Sequence, residues 1–302
     1  MISRSAIHSN SPVVFQFKSV KYDFSARTHI VGILNVTPDS FSDGGMYLDP
    51  EIAVRHALEM IDEGADIIDI GGESTRPKSR AYGDGAVTVT VDEELRRVIP
   101  IIEKLARNTG VPISIDTYKS EVAAQALAAG ACIVNDISGF KFDGRMPEVI
   151  AAAGASAIVM HIKGTPGTMQ LNPEYDDLFA EVLEYLSDSV EQGRRAGIGQ
   201  IIIDPGIGFG KRQEHNLQLL AGVSRFECLG CPILVGPSRK TFIGNILGTT
   251  IEDRLEGTLA AVVGSVLCGA HLVRVHDVKA TKRAVMVADA MKSELIHLQD
   301  SE

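Results

Sequence analysis

The 302-residue chain carries Arg274 and His276 one residue apart in "HLVRVH", at the end of an apolar run. On an extended chain such neighbours project to the same face, so a guanidinium and an imidazole point together at one target. A planar guanidinium grips phosphate oxygens through paired hydrogen bonds, and a buried cation is costly without an anionic partner. The pair reads as an anion grip; an ion pair between Arg274 and a barrel carboxylate such as Asp277 is the alternative. Four further groups end other apolar runs: Asp116 in "PISID", Asn135 in "CIVND", Asp204 in "IIIDP" and Lys240 in "PSRK". They offer carboxylate acceptors, an amide and a cationic donor. That set suits a flat heterocycle with adjacent N–H donors and a carbonyl, because a carboxylate accepts two parallel hydrogen bonds from an amidine-like edge. A structural ion pair between Lys240 and one aspartate competes with this reading.

These residues need elements that bring them together. Runs rich in Ile and Val recur at 29–36, 66–70, 112–116, 132–136, 157–161, 201–205, 232–236 and 271–276. Helical spacing of apolar residues separates them, most clearly at 92–107 and 177–192. Strands apolar on both faces must be covered on both sides, and alternation with helices implies parallel pairing. Eight such units match the size of a closed (β/α)8 TIM barrel, a chain of about 250 residues. A doubly wound open sheet is the runner-up, since periodicity does not prove closure. No linker divides the chain, so residues 29–295 read as a single α/β domain. Residues 1–28 form an N-terminal extension with a β-hairpin across the N-terminal mouth, and 296–302 a C-terminal tail.

In such a barrel chemistry gathers at the C-terminal strand ends. The ends here are Asn35, Thr75 with Arg76 in "GGESTRP", Asp116, Asn135 with Asp136, His161, Asp204, Ser238 to Lys240, and Arg274 with His276. Any single Asp or Asn after a strand is ordinarily a turn former or cap. Caps do not explain the cations, and a polar group at every end points to a site.

A net charge of −10 argues against broad nucleic-acid or anionic-membrane surfaces, so an anion site must be local. Four cysteines without a closely spaced even framework suggest a reducing compartment, and the cytoplasm is the expected location. The N-terminus has no signal-peptide pattern, and the apolar run at 259–270 is too short to span a membrane. Cys228 and Cys231 have CxxC spacing but no second ligand pair, so helix-end packing is the default. "GIGFG" at 206–210 lacks the Lys-Ser/Thr of a P-loop and reads as a close backbone approach to a ligand, with Phe209 lining the pocket.

From residue 29 to about 290 the chain resembles the dihydropteroate synthases. "GILNVTPDSFSDGG", "GGESTRP", "ISIDT", "NDISG", "MHIKGTPGTMQ", "DPGIGFGK", "SRKTFIG" and "RVHDV" occur in that family's order. The resemblance implies a pterin-binding barrel enzyme of folate synthesis, the target of sulfonamides. Its reaction joins (7,8-dihydropterin-6-yl)methyl diphosphate to 4-aminobenzoate with Mg2+ assistance, by dissociative substitution. Carried over by motif, Asp116, Asn135, Asp204 and Lys240 would hold the pterin. Thr75, Arg274 and His276 would hold the diphosphate, and Asn35 would help place Mg2+. Arg76, Pro77, Phe209 and Ser238 would border the aminobenzoate pocket, with Phe41 closing over it from a lid at 37–45. The resemblance also implies a homodimer; the Ala-rich helix around 257–268 is a candidate packing surface for it, with an internal helix as the alternative. Two rivals remain: a methyltetrahydrofolate methyltransferase with a corrinoid partner, which needs no diphosphate grip, and a non-catalytic pterin-binding barrel.

Overall fold

Side chains branched at Cβ favour extended backbone, and the runs rich in them form strands in the computed structural model. It describes residues 13–37, 49–74 and 88–300, with side chains through residue 295. An antiparallel hairpin, β1 (Val14–Phe17) and β2 (Val20–Asp23), precedes eight parallel strands. These are β3 (His29–Asn35), β4 (Ile67–Gly71), β5 (Ile113–Asp116), β6 (Ile133–Asp136), β7 (Ser156–Met160), β8 (Ile201–Asp204), β9 (Leu234–Val235) and β10 (Leu272–Val275). Helices α1 (Pro50–Asp62), α2 (Val91–Asn108), α3 (Ser120–Ala129), α4 (Met146–Ala152) and α5 (Leu178–Ala196) follow β3 to β7 in turn. Helix α6 (Gln213–Ala221) follows β8, α7 (Thr241–Leu247) and α8 (Leu255–Leu267) follow β9, and α9 (Val278–Asp300) follows β10. Helix α9 thus runs past residue 295, where the sequence places the end of the barrel.

The strands are ordered β8-β7-β6-β5-β4-β3-β10-β9. The two edges meet through a parallel bridge between Ile203 and Ile233, where the Ile203 N–H donates to the Pro232 carbonyl at 2.9 Å. The sheet is therefore a closed barrel, which rules out the open doubly wound alternative.

Outward-facing strand residues such as Ile30, Leu34, Ile68, Ile70 and Ile115 pack against the helices. On α2 and α5 the buried faces carry Val98, Ile101, Ile102 and Leu105, and Val182, Leu186 and Val190. Thr90 and Asp177 cap these two helices by accepting from the N–H groups of Glu93 and Ala180.

Inside the barrel the composition changes along the axis. At the N-terminal end Val31, Ile67, Ile133, Ile158, Ile202, Leu234 and Leu272 form one apolar layer, closed by Phe17, Tyr22 and Phe24 of the hairpin segment. The hairpin is held to the barrel by the Gln16 N–H donating to Gln200 Oε1 at 2.5 Å. Toward the C-terminal end the inward positions are mostly polar, with Asp69, Ser114, Asp116, Asn135, Asp204 and Arg274 beside Ile33 and Met160. Asp136, the next residue after Asn135, faces the other way. It accepts from the N–H groups of Ser138 and Phe140 at 2.8 and 3.0 Å, and so plays the ordinary turn-capping role.

Candidate active site

A cavity of about 870 Å3 opens at the C-terminal end of the barrel. Asn35, Asp116, Phe209, Ser238, Lys240, Arg274 and His276 all line it, from five different strand ends. Asn135 and Asp204 are almost fully buried, 5% and 6% exposed, at the ends of β6 and β8. Asn135 stands beside Asp116 in the β5–β6 register. Phe41, Thr75, Arg76 and Pro77 lie outside the described residues, as does most of the expected lid.

Arg274 pairs with two carboxylates, and neither is Asp277. Its Nε donates to Asp69 Oδ2 at 2.6 Å and its Nη2 to Asp116 Oδ2 at 2.7 Å. Burial works against the guanidinium charge, but Asp69 and Asp116 more than offset it and raise its pKa. Asp277 is instead held by Arg239, at 3.0 and 2.6 Å. Asp69 went unnoticed in the sequence. The signal was available: it is the single acid inside "IIDIG", on the inward parity of a strand otherwise apolar.

Lys240 is also not paired with an aspartate. Its ammonium donates to the Ile207 carbonyl at 2.6 Å and lies 4.1 Å from the centroid of the Phe209 ring. Burial pushes its pKa down to about 7 despite the attraction of Asp204. Burial also pushes Asp116 up to about 7, against the pull of Arg274, and raises Asp204. Asp204 Oδ1 accepts the Gly206 N–H at 2.7 Å, and Asn135 Nδ2 donates to Asp69 Oδ2 at 3.0 Å. Among the described residues nothing bonds Asp116 Oδ1, Asn135 Oδ1 or Asp204 Oδ2. Of these three acceptors Asp116 lines the cavity, as does the cationic donor Lys240, while Asn135 and Asp204 are buried at the ends of β6 and β8.

The turn at 237–240 aims two of these side chains. Arg239 adopts a φ of 56°, in the left-handed region that side chains other than glycine seldom occupy. Its N–H donates to Thr258 Oγ1 at 3.0 Å, its carbonyl accepts from Arg254 Nη1 at 2.9 Å, and Asp277 holds its side chain. This strained residue sends Ser238 toward His276, whose Nδ1 lies 2.9 Å from Ser238 Oγ, and Lys240 toward Phe209.

The glycines of "GIGFG" are required by close neighbours within the protein, and Gly208 also lines the cavity. A Cβ on Gly206 would lie 1.9 Å from the His161 carbonyl oxygen, and one on Gly208 would lie 2.7 Å from the Lys240 side chain. Phe209 does line the cavity, as read from the sequence. His161 proves structural: its Nδ1 is 2.7 Å from Lys211 Nζ, and burial with Lys211 beside it pushes its pKa down to about 2. Lys211, overlooked in the sequence, also lines the cavity, and burial lowers its pKa well below the ordinary lysine value. Glu73 borders the cavity at the start of the β4–α2 connection, where Lys119 bridges it to buried Glu94 and Tyr118 donates to it at 2.9 Å. Among the described residues no cluster of three His, Cys, Asp or Glu is arranged to hold a metal. All four cysteines are free.

The family model "Pterin binding enzyme" matches residues 31–276. The chain is 49% identical to dihydropteroate synthase of Synechocystis sp. over 276 residues, 89% of this chain and 92% of that one. The structure superposes on Yersinia pestis dihydropteroate synthase in a sulfonamide drug complex with a TM-score of 0.87, at 41% identity, covering 93% of this chain and 99% of that chain. The Xanthomonas albilineans dihydropteroate synthase with 4-aminobenzoic acid gives a TM-score of 0.84 at 42% identity, covering 93% and 99%. With these matches spanning the whole barrel and its strand-end motifs, the chain belongs to the pterin-binding enzyme family, among the dihydropteroate synthases.

Proposed function

We propose that the chain condenses (7,8-dihydropterin-6-yl)methyl diphosphate with 4-aminobenzoate, giving 7,8-dihydropteroate and diphosphate. The observation that carries this reading is the set of unpartnered acceptor oxygens on Asp116, Asn135 and Asp204, at strand ends of the barrel whose cavity Lys240 also lines. A dihydropterin edge offers adjacent N–H donors and one carbonyl, the complement of that set.

Arg274 and His276 would bind the diphosphate. Arg274 already carries two carboxylates, Asp69 and Asp116, so this cluster is net negative and would repel a diphosphate on its own. A divalent cation fits that imbalance. Asn35 supplies a hard amide oxygen at the cavity edge, and Mg2+ ordinarily takes only one or two protein ligands when a substrate phosphate completes its shell. When bound, Mg2+ would neutralise charge growing on the departing diphosphate.

An arylamine is a weak, uncharged nucleophile, so the leaving group and the cation it leaves behind control the rate. The C–O bond breaks with its electron pair going to diphosphate. The pterin ring delocalises the positive charge left on the exocyclic carbon, with the Asp116 and Asp204 carboxylates beside it. The amine lone pair then forms the C–N bond, and the nitrogen releases a proton to solvent. No covalent enzyme intermediate is involved. Phe209 and Ser238 would border the arylamine, together with Arg76, Pro77 and Phe41 from the sequence motifs.

Free thiols on all four cysteines support a reducing, cytoplasmic setting, and among the described residues no helix is long and apolar enough to cross a membrane. A homodimer completes the proposal. The direct test supplies the pterin diphosphate, 4-aminobenzoate and Mg2+ and follows dihydropteroate and diphosphate together. Equimolar release of both is expected, and folded protein that yields neither refutes the assignment.

A further inference from the structure

Asp69 lies beneath the cavity, fully buried between Ile68 and Ile70, and is not among the residues lining it. Its Oδ2 accepts from both Arg274 Nε, at 2.6 Å, and Asn135 Nδ2, at 3.0 Å. We infer that Asp69 is a positioning residue that fixes which polar atoms Asn135 and Arg274 present to the substrate. The inference rests on the proposal that the cavity takes a dihydropterin.

An ionised carboxylate can only accept hydrogen bonds. Facing it, Asn135 must turn its NH2 downward, which leaves Oδ1 as the atom available to a ligand. The two ends of an amide are nearly isosteric, so no steric force would keep this orientation without Asp69. A turned amide would set N–H against the N–H edge of the ligand, donor against donor, and spoil the acceptor pattern shared with Asp116 and Asp204. Asp69 acts on Arg274 in the same way. With Nε on Asp69 and Nη2 on Asp116, the guanidinium plane is set and Nη1 is the nitrogen left for an anion. Both bonds fall on Oδ2, while Oδ1 is buried without a partner. An amide at position 69 would either keep its oxygen in the Oδ2 place, as a weaker uncharged acceptor with its NH2 buried and unpartnered, or turn and offer Asn135 a donor that favours the turned orientation.

The probe is 6-hydroxymethyl-7,8-dihydropterin, which lacks the diphosphate and so reports the Asn135 arm. Wild-type protein should bind it in calorimetry. Asp69→Asn should weaken that binding by about tenfold or more, as losing a hydrogen bond of this kind does, and leave the KM for 4-aminobenzoate within about twofold. Asn135→Ala should weaken it comparably. The double variant should be no more than about threefold worse than the weaker single, because Asp69 has no amide left to orient. Wild-type affinity in Asp69→Asn, or full multiplication of the two losses, would overturn the inference. Wild-type protein that fails to bind the pterin at all would instead remove the functional proposal, and this inference with it. A second measurement needs no change at position 69. The side-chain amide protons of Asn135, assigned by their disappearance in Asn135→Ala, should stay slow to exchange with and without the pterin, as a persistent bond to Asp69 requires. Fast exchange, or a bond broken when pterin binds, would also overturn it.

Discussion

Asp204 and Arg274 end neighbouring parts of the barrel wall but face different portions of the proposed substrate, so their loss should separate in kinetics. Asp204→Asn keeps the side-chain volume and removes the charge beside the pterin. It should raise the KM for the pterin diphosphate by about ten- to a hundredfold, the usual worth of a hydrogen bond to a charged group. Arg274→Ala should chiefly lower kcat, since its remaining guanidinium edge meets the diphosphate as charge develops. Steady-state rates with pterin diphosphate varied at saturating 4-aminobenzoate would show the split; wild-type kinetics in both variants would refute the assignments. The same cavity sets a pH profile. Burial raises Asp116 to about 7, so below that pH it protonates and loses acceptor capacity. Burial lowers Lys240 to about 7, so above that pH the ammonium loses its charge. The kcat/KM for the pterin diphosphate should therefore be bell-shaped with a maximum near neutrality. Asp116→Asn should flatten the acid limb and Lys240→Gln the alkaline one; limbs that survive these changes would belong to other groups. Asp116, Asn135, Asp204 and Lys240 were legible because each interrupts or ends an apolar run. Asp69 interrupts an apolar run in the same way, but its role as a shared acceptor shows only once its partners on β6 and β10 are known.

At the scale of elements, the alternation of apolar runs with helical spacing marked all eight barrel strands, and the apolar/polar alternation at 12–24 around a Lys-Ser turn marked the hairpin ahead of them. Closure was not legible, because the Ile203–Ile233 bridge joins two segments whose sequences say nothing about each other. Strand β9 keeps only Leu234 and Val235 in regular pairing, fewer residues than its apolar run suggested. The packing demand on the glycine loop after β8 was not legible for a related reason: its neighbours, His161 and Lys240, come from other strand ends. Its physical demand is testable. Gly206 has a φ of +73°, and an added Cβ would overlap the His161 carbonyl oxygen at 1.9 Å. Gly206→Ala should cost more than about 3 kcal/mol in denaturant unfolding or prevent folding, since both strain and overlap oppose it. The apolar plug at the opposite mouth should behave differently. Phe17 is 1% exposed amid Tyr22 and Phe24. Phe17→Ala should lower stability by about 3–5 kcal/mol yet leave kcat within about twofold, because the apolar layer separates it from the cavity. A matching loss of kcat would show that the two ends of the barrel are coupled.

The whole molecule leaves one side unusually apolar for a chain of net charge −10. Ile246 and Leu247 at the end of α7 are 53% and 48% exposed, and Met286, Val287 and Met291 on α9 are 62%, 61% and 49% exposed. Both helices pack on α8, whose own outward positions include Ala260 and Gly264, four residues apart and so on one face. Small residues flanked by large exposed apolar ones allow two helices to approach closely, and a patch of this kind matches the self-complementary surface of a twofold dimer. The Ala-rich helix singled out in the sequence thus lies at the centre of the patch, with α7 and α9 supplying the larger side chains. Light scattering at micromolar concentration should give twice the 32.4 kDa chain mass. Gly264→Arg is the sharpest variant, because a Cβ there would meet nothing within 4 Å inside the protomer. It should therefore leave the fold intact while placing a bulky charge on the shared face, and shift the protein to monomer. All the described groups proposed to hold the pterin come from a single barrel, so pterin binding should survive in that monomer within about twofold. A wild-type monomer would remove the dimer from the proposal. A Gly264→Arg dimer of unchanged affinity would place the interface on another face.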